Sequence, residues 1–185
     1  MIMERNPMRV NMKIVSAAVM VLLLLSLASG HQVPKRSSLD DLRFLIGEWE
    51  GVGEGGPGSG KGVFSFAFDL RNNVIVRKNY AEYPPTATGP AIRHDDLIVI
   101  YFDRASNQIQ ADYFDSEGQQ INYKVTPSSD HEAVTFLSEA SAFQPRYRLS
   151  YKKLKDGTLS GKFEIAPPGQ PDAFKAYLEW TARKK

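Results

Sequence analysis

This sequence predicts an all-β fold: a single antiparallel meander β-barrel of about ten strands, with a short N-terminal helix closing one end. Three observations carry the prediction. From Gly47 onward, short runs of alternating apolar and polar residues are broken by Gly, Asn, Asp, Ser or Pro about every 8–12 residues, the spacing of barrels and sandwiches. Helical periodicity occurs once, over Leu39 to Ile46. The hairpin turns, tested for register, give most strands one apolar face, and closing such a meander removes the exposed edges.

The chain has 185 residues. Residues 1–30 read as a cleaved secretory signal: Arg5, Arg9 and Lys13 make a positive start, Ile14 to Leu27 an apolar run, and Ala28-Ser29-Gly30 a small-residue cleavage site. The run falls short of the about 20 residues a membrane span needs. Met12-Lys13 is an equally suitable start for such a signal. Cleavage near Gly30 is expected to leave a flexible stretch at residues 31–37 and a barrel domain at 38–185. No Cys follows the run, so no lipid anchor and no stable membrane anchor are expected. Residues 31–185 hold 20 basic and 20 acidic side chains, so the net charge of +2 belongs to the signal. A neutral domain without a basic run gives no reason to expect nucleic acid as a partner. The chain has no Cys and no Asn-x-Ser/Thr acceptor, which fits a bacterial periplasmic or secreted protein. Packing alone must then hold the fold.

Each element follows from its local chemistry. Ser38 is the expected N-cap of the first turn, with Asp40 and Asp41 at its favourable dipole end and Gly47 closing it. Trp49 faces inward because Glu48 and Glu50 want water. In the second hairpin a two-residue Asn72-Asn73 turn puts Phe64, Phe66 and Phe68 opposite Ala81, Asn79 and Arg77; a three-residue loop would bring Lys78, Tyr80 and Glu82 to that face instead. A three-residue loop at Ser116-Glu117-Gly118 sets Tyr113 against Ile121 and Ala111 against Tyr123. Another at Lys155-Asp156-Gly157 sets Leu149 against Phe163 and Tyr147 against Ile165. In the last strand Phe174, Ala176, Leu178 and Trp180 alternate against Lys175, Tyr177, Glu179 and Thr181. The expected core is Trp49, Phe64, Phe66, Phe68, Leu149, Phe163, Phe174, Leu178 and Trp180.

A short amphipathic turn running into Gly47-Glu48-Trp49-Glu50-Gly51-Val52-Gly53, before a full set of strands, resembles the lipocalin-like (calycin) barrels. The resemblance implies a closed end where Trp49 packs beneath an Arg of the terminal strand, a place Arg183 can fill. The same opening is similar to that of the nitrobindins, which ligate haem through a His late in the chain; here the last strands contain none.

Motifs for chemistry are sparse. Gly55 to Lys61 satisfies G-x-x-x-x-G-K, but Gly62 stands where magnesium needs Ser or Thr, and a strand pattern follows instead of a helix. His131-Glu132 starts like a zinc-protease motif without its second His. In His94-Asp95-Asp96, strand alternation lets His94 and Asp96 cooperate and turns Asp95 away. A solvated cluster at a strand end is the simplest account of that triplet, and no metal site or cofactor is expected.

Arg77 and Asn79 stand out because either register of the second hairpin brings polar groups to an aromatic inner face, and an unpaired buried charge is too costly to persist. Arg77 is expected either to contact a ligand or to reach solvent along its stem. The interior rings Tyr113, Tyr123, Tyr147, Tyr151, Phe102 and Phe163 combine apolar bodies with polar tips. The resulting expectation is a secreted or periplasmic barrel binding a small amphipathic or hydrophobic molecule through Arg77, Asn79, Tyr113, Tyr123 and His94. An anionic head beside Arg77 is the favoured pose. The alternatives are a haem barrel and an enzyme using His94, Asp96 and Arg77 for acid–base chemistry.

Overall fold

The computed structural model describes residues 38–52, 61–85 and 89–185, with the Lys61 side chain outside that description. The expected signal peptide, the stretch 31–37 and most of the Gly-rich loop lie outside these residues.

A 3-10 helix over Leu39–Leu45 opens the described chain. Its N-terminus is closed by a reciprocal cap: Asp40 N donates to Ser38 Oγ (3.1 Å) and Ser38 N to Asp41 Oδ2 (2.8 Å). Ten strands follow: β1 Gly47–Val52, β2 Lys61–Asp69, β3 Val74–Tyr83, β4 Ile92–Asp103, β5 Gln108–Asp115, β6 Gln120–Pro127, β7 Ala133–Ser138, β8 Arg146–Lys153, β9 Leu159–Ala166 and β10 Lys175–Lys184. Each pairs antiparallel with its neighbour in sequence, and β1 pairs with β10 to close the barrel. The all-β meander barrel with its N-terminal helical turn is therefore the fold. β2 begins at Lys61, directly behind the Gly-rich loop, so no helix N-terminus follows that loop to meet a phosphate.

Leu42 and Leu45 of the helical turn are fully buried against the barrel core, with Trp49, Phe64, Phe66, Ile75, Ile98 and Phe136. The Trp49 indole N–H donates to Leu45 O at 2.7 Å, tying the turn to β1. Arg43 lies over the Phe68 ring (4.9 Å), and Asp41 meets His131 of the β6–β7 turn at 3.3 Å. The turn thus plugs the end of the barrel that carries the β2–β3 and β6–β7 connections.

The loops at Ser116–Gly118 and Lys155–Gly157 have the expected three residues and the expected registers, Tyr113↔Ile121 and Leu149↔Phe163. Gly118 and Gly157 take φ of +87° and +83°, the left-handed conformation those loops require. Three expectations are corrected. The β2–β3 loop has four residues, Leu70 to Asn73, the first three at positive φ, so Phe66 faces Arg77 and Phe64 faces Asn79. The shift is two residues, which preserves the inward face while changing each partner. A bulge between Ala176 and Leu178 reverses the alternation at the start of β10. Phe174 consequently leaves the core and lies beneath the guanidinium of Arg148 (4.1 Å), which is bonded to Glu164. Finally, Arg183 does not cover Trp49. It pairs with Glu50 at 3.2 Å and is exposed, whereas Lys184, directly opposite Trp49, brings its ammonium 5.8 Å from the indole. Strand parity explains the difference: with Trp180 inward, Ala182 and Lys184 follow it and Arg183 cannot.

Candidate functional site

Toward the other end the core gives way to a cavity of about 1270 Å³ that opens beside the β3–β4 and β5–β6 connections. Its two sides differ in chemistry. Asn79 of β3, His94 and Asp96 of β4, and Tyr113 and Asp115 of β5 line one; Tyr147 and Leu149 of β8, Phe163 and Ile165 of β9, and Leu178 and Trp180 of β10 line the other. On the aromatic side Tyr147 and Phe163 stack with centroids 5.9 Å apart and planes 7° from parallel. Trp180 lies flat on Gly161, where an added Cβ would come within 2.2 Å of the indole. Glycine is therefore the side chain that admits the ring to this wall.

The polar side is organised around Asp96, whose side chain is only 6% exposed. Arg77 Nη1 donates to its Oδ1, and Asn79 Nδ2 donates to Oδ2 at 2.7 Å. His94 Nε2 stands 3.4 Å from that same Oδ2, while His94 Nδ1 meets Glu117 Oε2 at 2.8 Å. The Tyr113 hydroxyl lies 3.3 Å from His94 Nε2 and donates to Asp115 Oδ2 at 3.2 Å. Asp115 Oδ1 accepts the backbone N–H groups of Glu117 and Gln119, which orders the β5–β6 loop at the mouth. The Asp96 hydrogen bond, opposed by partial burial, and the neighbouring Glu117 push the His94 pKa up to about 9. Burial pushes Asp96 upward, but Arg77, His94 and Asn79 outweigh it and hold the carboxylate below its ordinary value. Burial, with Asp96 and Asp115 nearby, raises the Tyr113 phenol, and burial raises Tyr123. These phenols are neutral donors at physiological pH.

The expected residues Arg77, Asn79, His94, Tyr113 and Tyr123 all line this one cavity. Arg77 does not reach solvent: its side chain is 7% exposed and its guanidinium lies 5.5 Å from the centre of Phe64. Nor is its charge free, because Asp96 neutralises it. That removes the reason for seating an anionic head beside Arg77. The His94-Asp96 pair is no solvated cluster; only Asp95 behaves so, turning outward to Arg93 at 2.8 Å. Two polar atoms beneath the polar wall, Arg77 Nε and the Tyr151 hydroxyl, are buried without a hydrogen-bond partner among the described residues. Burial, eased by the Arg77 charge, sets the Tyr151 phenol at about 12.

Sequence reading missed Asp115 and Glu117. Their signal was the same three-residue loop that set the β5–β6 register, since it brings both carboxylates to the rim beside His94. Ligand atoms of His94, Asp115 and Glu117 lie within 4.8 Å of one another, a spacing that suits a cation. However, both His94 nitrogens already face carboxylate or phenol oxygens, and its raised pKa means the group holds a proton. A metal would have to displace that proton first. The same contacts favour the protonated, hydrogen-bond-donating form of His94 near neutral pH.

Compared with known proteins, the chain matches no protein-family model and no curated protein.

Proposed function

We propose that this protein is an exported carrier or binder of a small amphipathic molecule held in the barrel lumen. The observation that carries the reading is the cavity itself: about 1270 Å³, open at one end, with a hydrogen-bonding wall facing an aromatic one. Ligand pockets typically span about 300–1,000 Å³ and combine apolar lining with a few placed polar groups. The lining here follows that pattern in a cavity somewhat larger than that range. The lipocalin-like opening at Gly47 to Gly53 supports the same reading by analogy of architecture. Export rests on the features of residues 1–30.

Native mass spectrometry of the purified protein, followed by solvent extraction and an absorbance scan, tests the binding. A copurified amphiphile, or a rise in Tm with added amphiphiles, is the expected result. A Soret band would replace this reading with a haem barrel, and neither binding nor stabilisation across an amphiphile panel would end it. N-terminal sequencing of protein from the periplasm or medium should begin near His31; an intact Met1 or Met12 in the cytoplasmic fraction would defeat export.

A further inference from the structure

The charge lining the cavity selects the polar end of its ligand. Among the described residues, besides the neutral phenols, five acidic or basic side chains face it: Arg77 and His94 against Asp96, Asp115 and Glu117. Arg77 and Asp96 are in contact deep in the wall and cancel. What remains at the mouth is one imidazole facing two carboxylates, so the sum is negative whichever protonation state His94 takes. The lining residues of the opposite wall include no cation. That wall presents the stacked rings of Tyr147 and Phe163, and ring faces attract positive charge. Low-dielectric walls around a cleft of one sign focus its field on whatever enters.

We infer that the cavity prefers an amphiphile whose polar end is an ammonium group, held at the Asp115–Glu117 rim with its apolar body along the aromatic wall. This inference rests on the binding function proposed above and specifies the ligand class. An alkyl carboxylate of the same length would set its charge against Asp115 and Glu117, and Arg77 cannot compensate because its counter-ion is already in place.

The test uses three probes of one chain length at pH 7: decylammonium, decanol and decanoate, titrated into the full-length mature protein and followed by calorimetry and tryptophan fluorescence. Decylammonium should bind tightest and decanoate weakest. Glu117→Gln removes one rim charge and should narrow the ammonium-to-carboxylate affinity ratio about fivefold or more. Asp95→Asn makes the same charge change on the outer face, paired with Arg93, and should leave the ratio unchanged within error. Thermal melts establish that both variants are folded. Equal affinities, decanoate binding tightest, or equal responses to the two variants would overturn the ammonium preference while leaving the binding function standing. Failure of all three probes, the neutral alcohol included, would overturn both.

Discussion

Removing one partner at a time from the buried Arg77–Asp96 pair should reveal unequal costs. Both side chains are under a tenth exposed, so neither charge can turn to water when its partner is lost. Their environments differ. Asp96 receives donors from Arg77 and Asn79 and faces His94, whereas Asp96 is the anion in contact with Arg77. Arg77→Met leaves a carboxylate still facing an amide and an imidazolium; the loss of one charged hydrogen bond there should cost about 1–3 kcal/mol. Asp96→Asn keeps the shape but leaves a guanidinium buried without its counter-ion, and that should cost about 3–5 kcal/mol. For a domain of this size each kcal/mol moves Tm by about 2–4 °C, so Asp96→Asn should lower Tm by about 6–20 °C. The double variant should be more stable than additivity predicts, because neither charge is stranded in it. Urea melts of the four proteins at pH 7 measure all of this. Arg77→Met costing as much as or more than Asp96→Asn would refute the argument that Asp96 is the better supported partner.

Further outcomes follow from the same contacts. His94 should titrate near 9 by NMR, and Asp96→Asn should move it back toward 6.5, since the Asp96 hydrogen bond is the largest cause of the shift. Because the folded pKa is raised, the stability His94 contributes is fully present below about pH 6.5 and lost as pH rises through 9; a pH series flat over that window relative to His94→Gln would refute it. Trp49→Ala should cost about 3–5 kcal/mol in denaturant melts, whereas Trp49→Phe should cost about 1–2 kcal/mol, mainly the bond to Leu45 O. Gly161→Ala should lift Trp180 off the β9 backbone, cost about 1–3 kcal/mol and change Trp180 fluorescence; an unshifted spectrum and Tm would refute the stacked contact.

Legibility in the sequence tracked parity. Where a glycine marked the left-handed position of a turn, as at Gly118 and Gly157, counting residues gave the correct partners. At Leu70 to Asn73 the positive φ values fall on non-glycine residues, which carry little sequence signal, so the face was right and the pairing shifted by two. At Tyr177 one inserted residue inverted the face, and Phe174 went outward to Arg148. Arg77 was legible as an inward charge and Asp96 as a companion in the enzyme alternative, but their direct ion pair was not. Asp96 lies opposite Asn79 across β3 and β4, and the connection between those strands, residues 84–91, offers no short turn from which to count the register.

The barrel closes along the β1–β10 seam, whose four residue pairs run from Trp49↔Lys184 to Val52↔Thr181. The Glu50–Arg183 bridge across it joins residues 133 apart in sequence. Every other strand pair joins neighbours in sequence, so hairpins can form as the chain emerges, but the seam must wait for the C-terminal strand. Loop-closure entropy is lost before that contact can repay it, which makes the seam the slow, late event in folding. Until then β1 and β9 each present an open edge. A chain stopped before Lys175 would keep both edges permanently, and self-association through them is its expected fate.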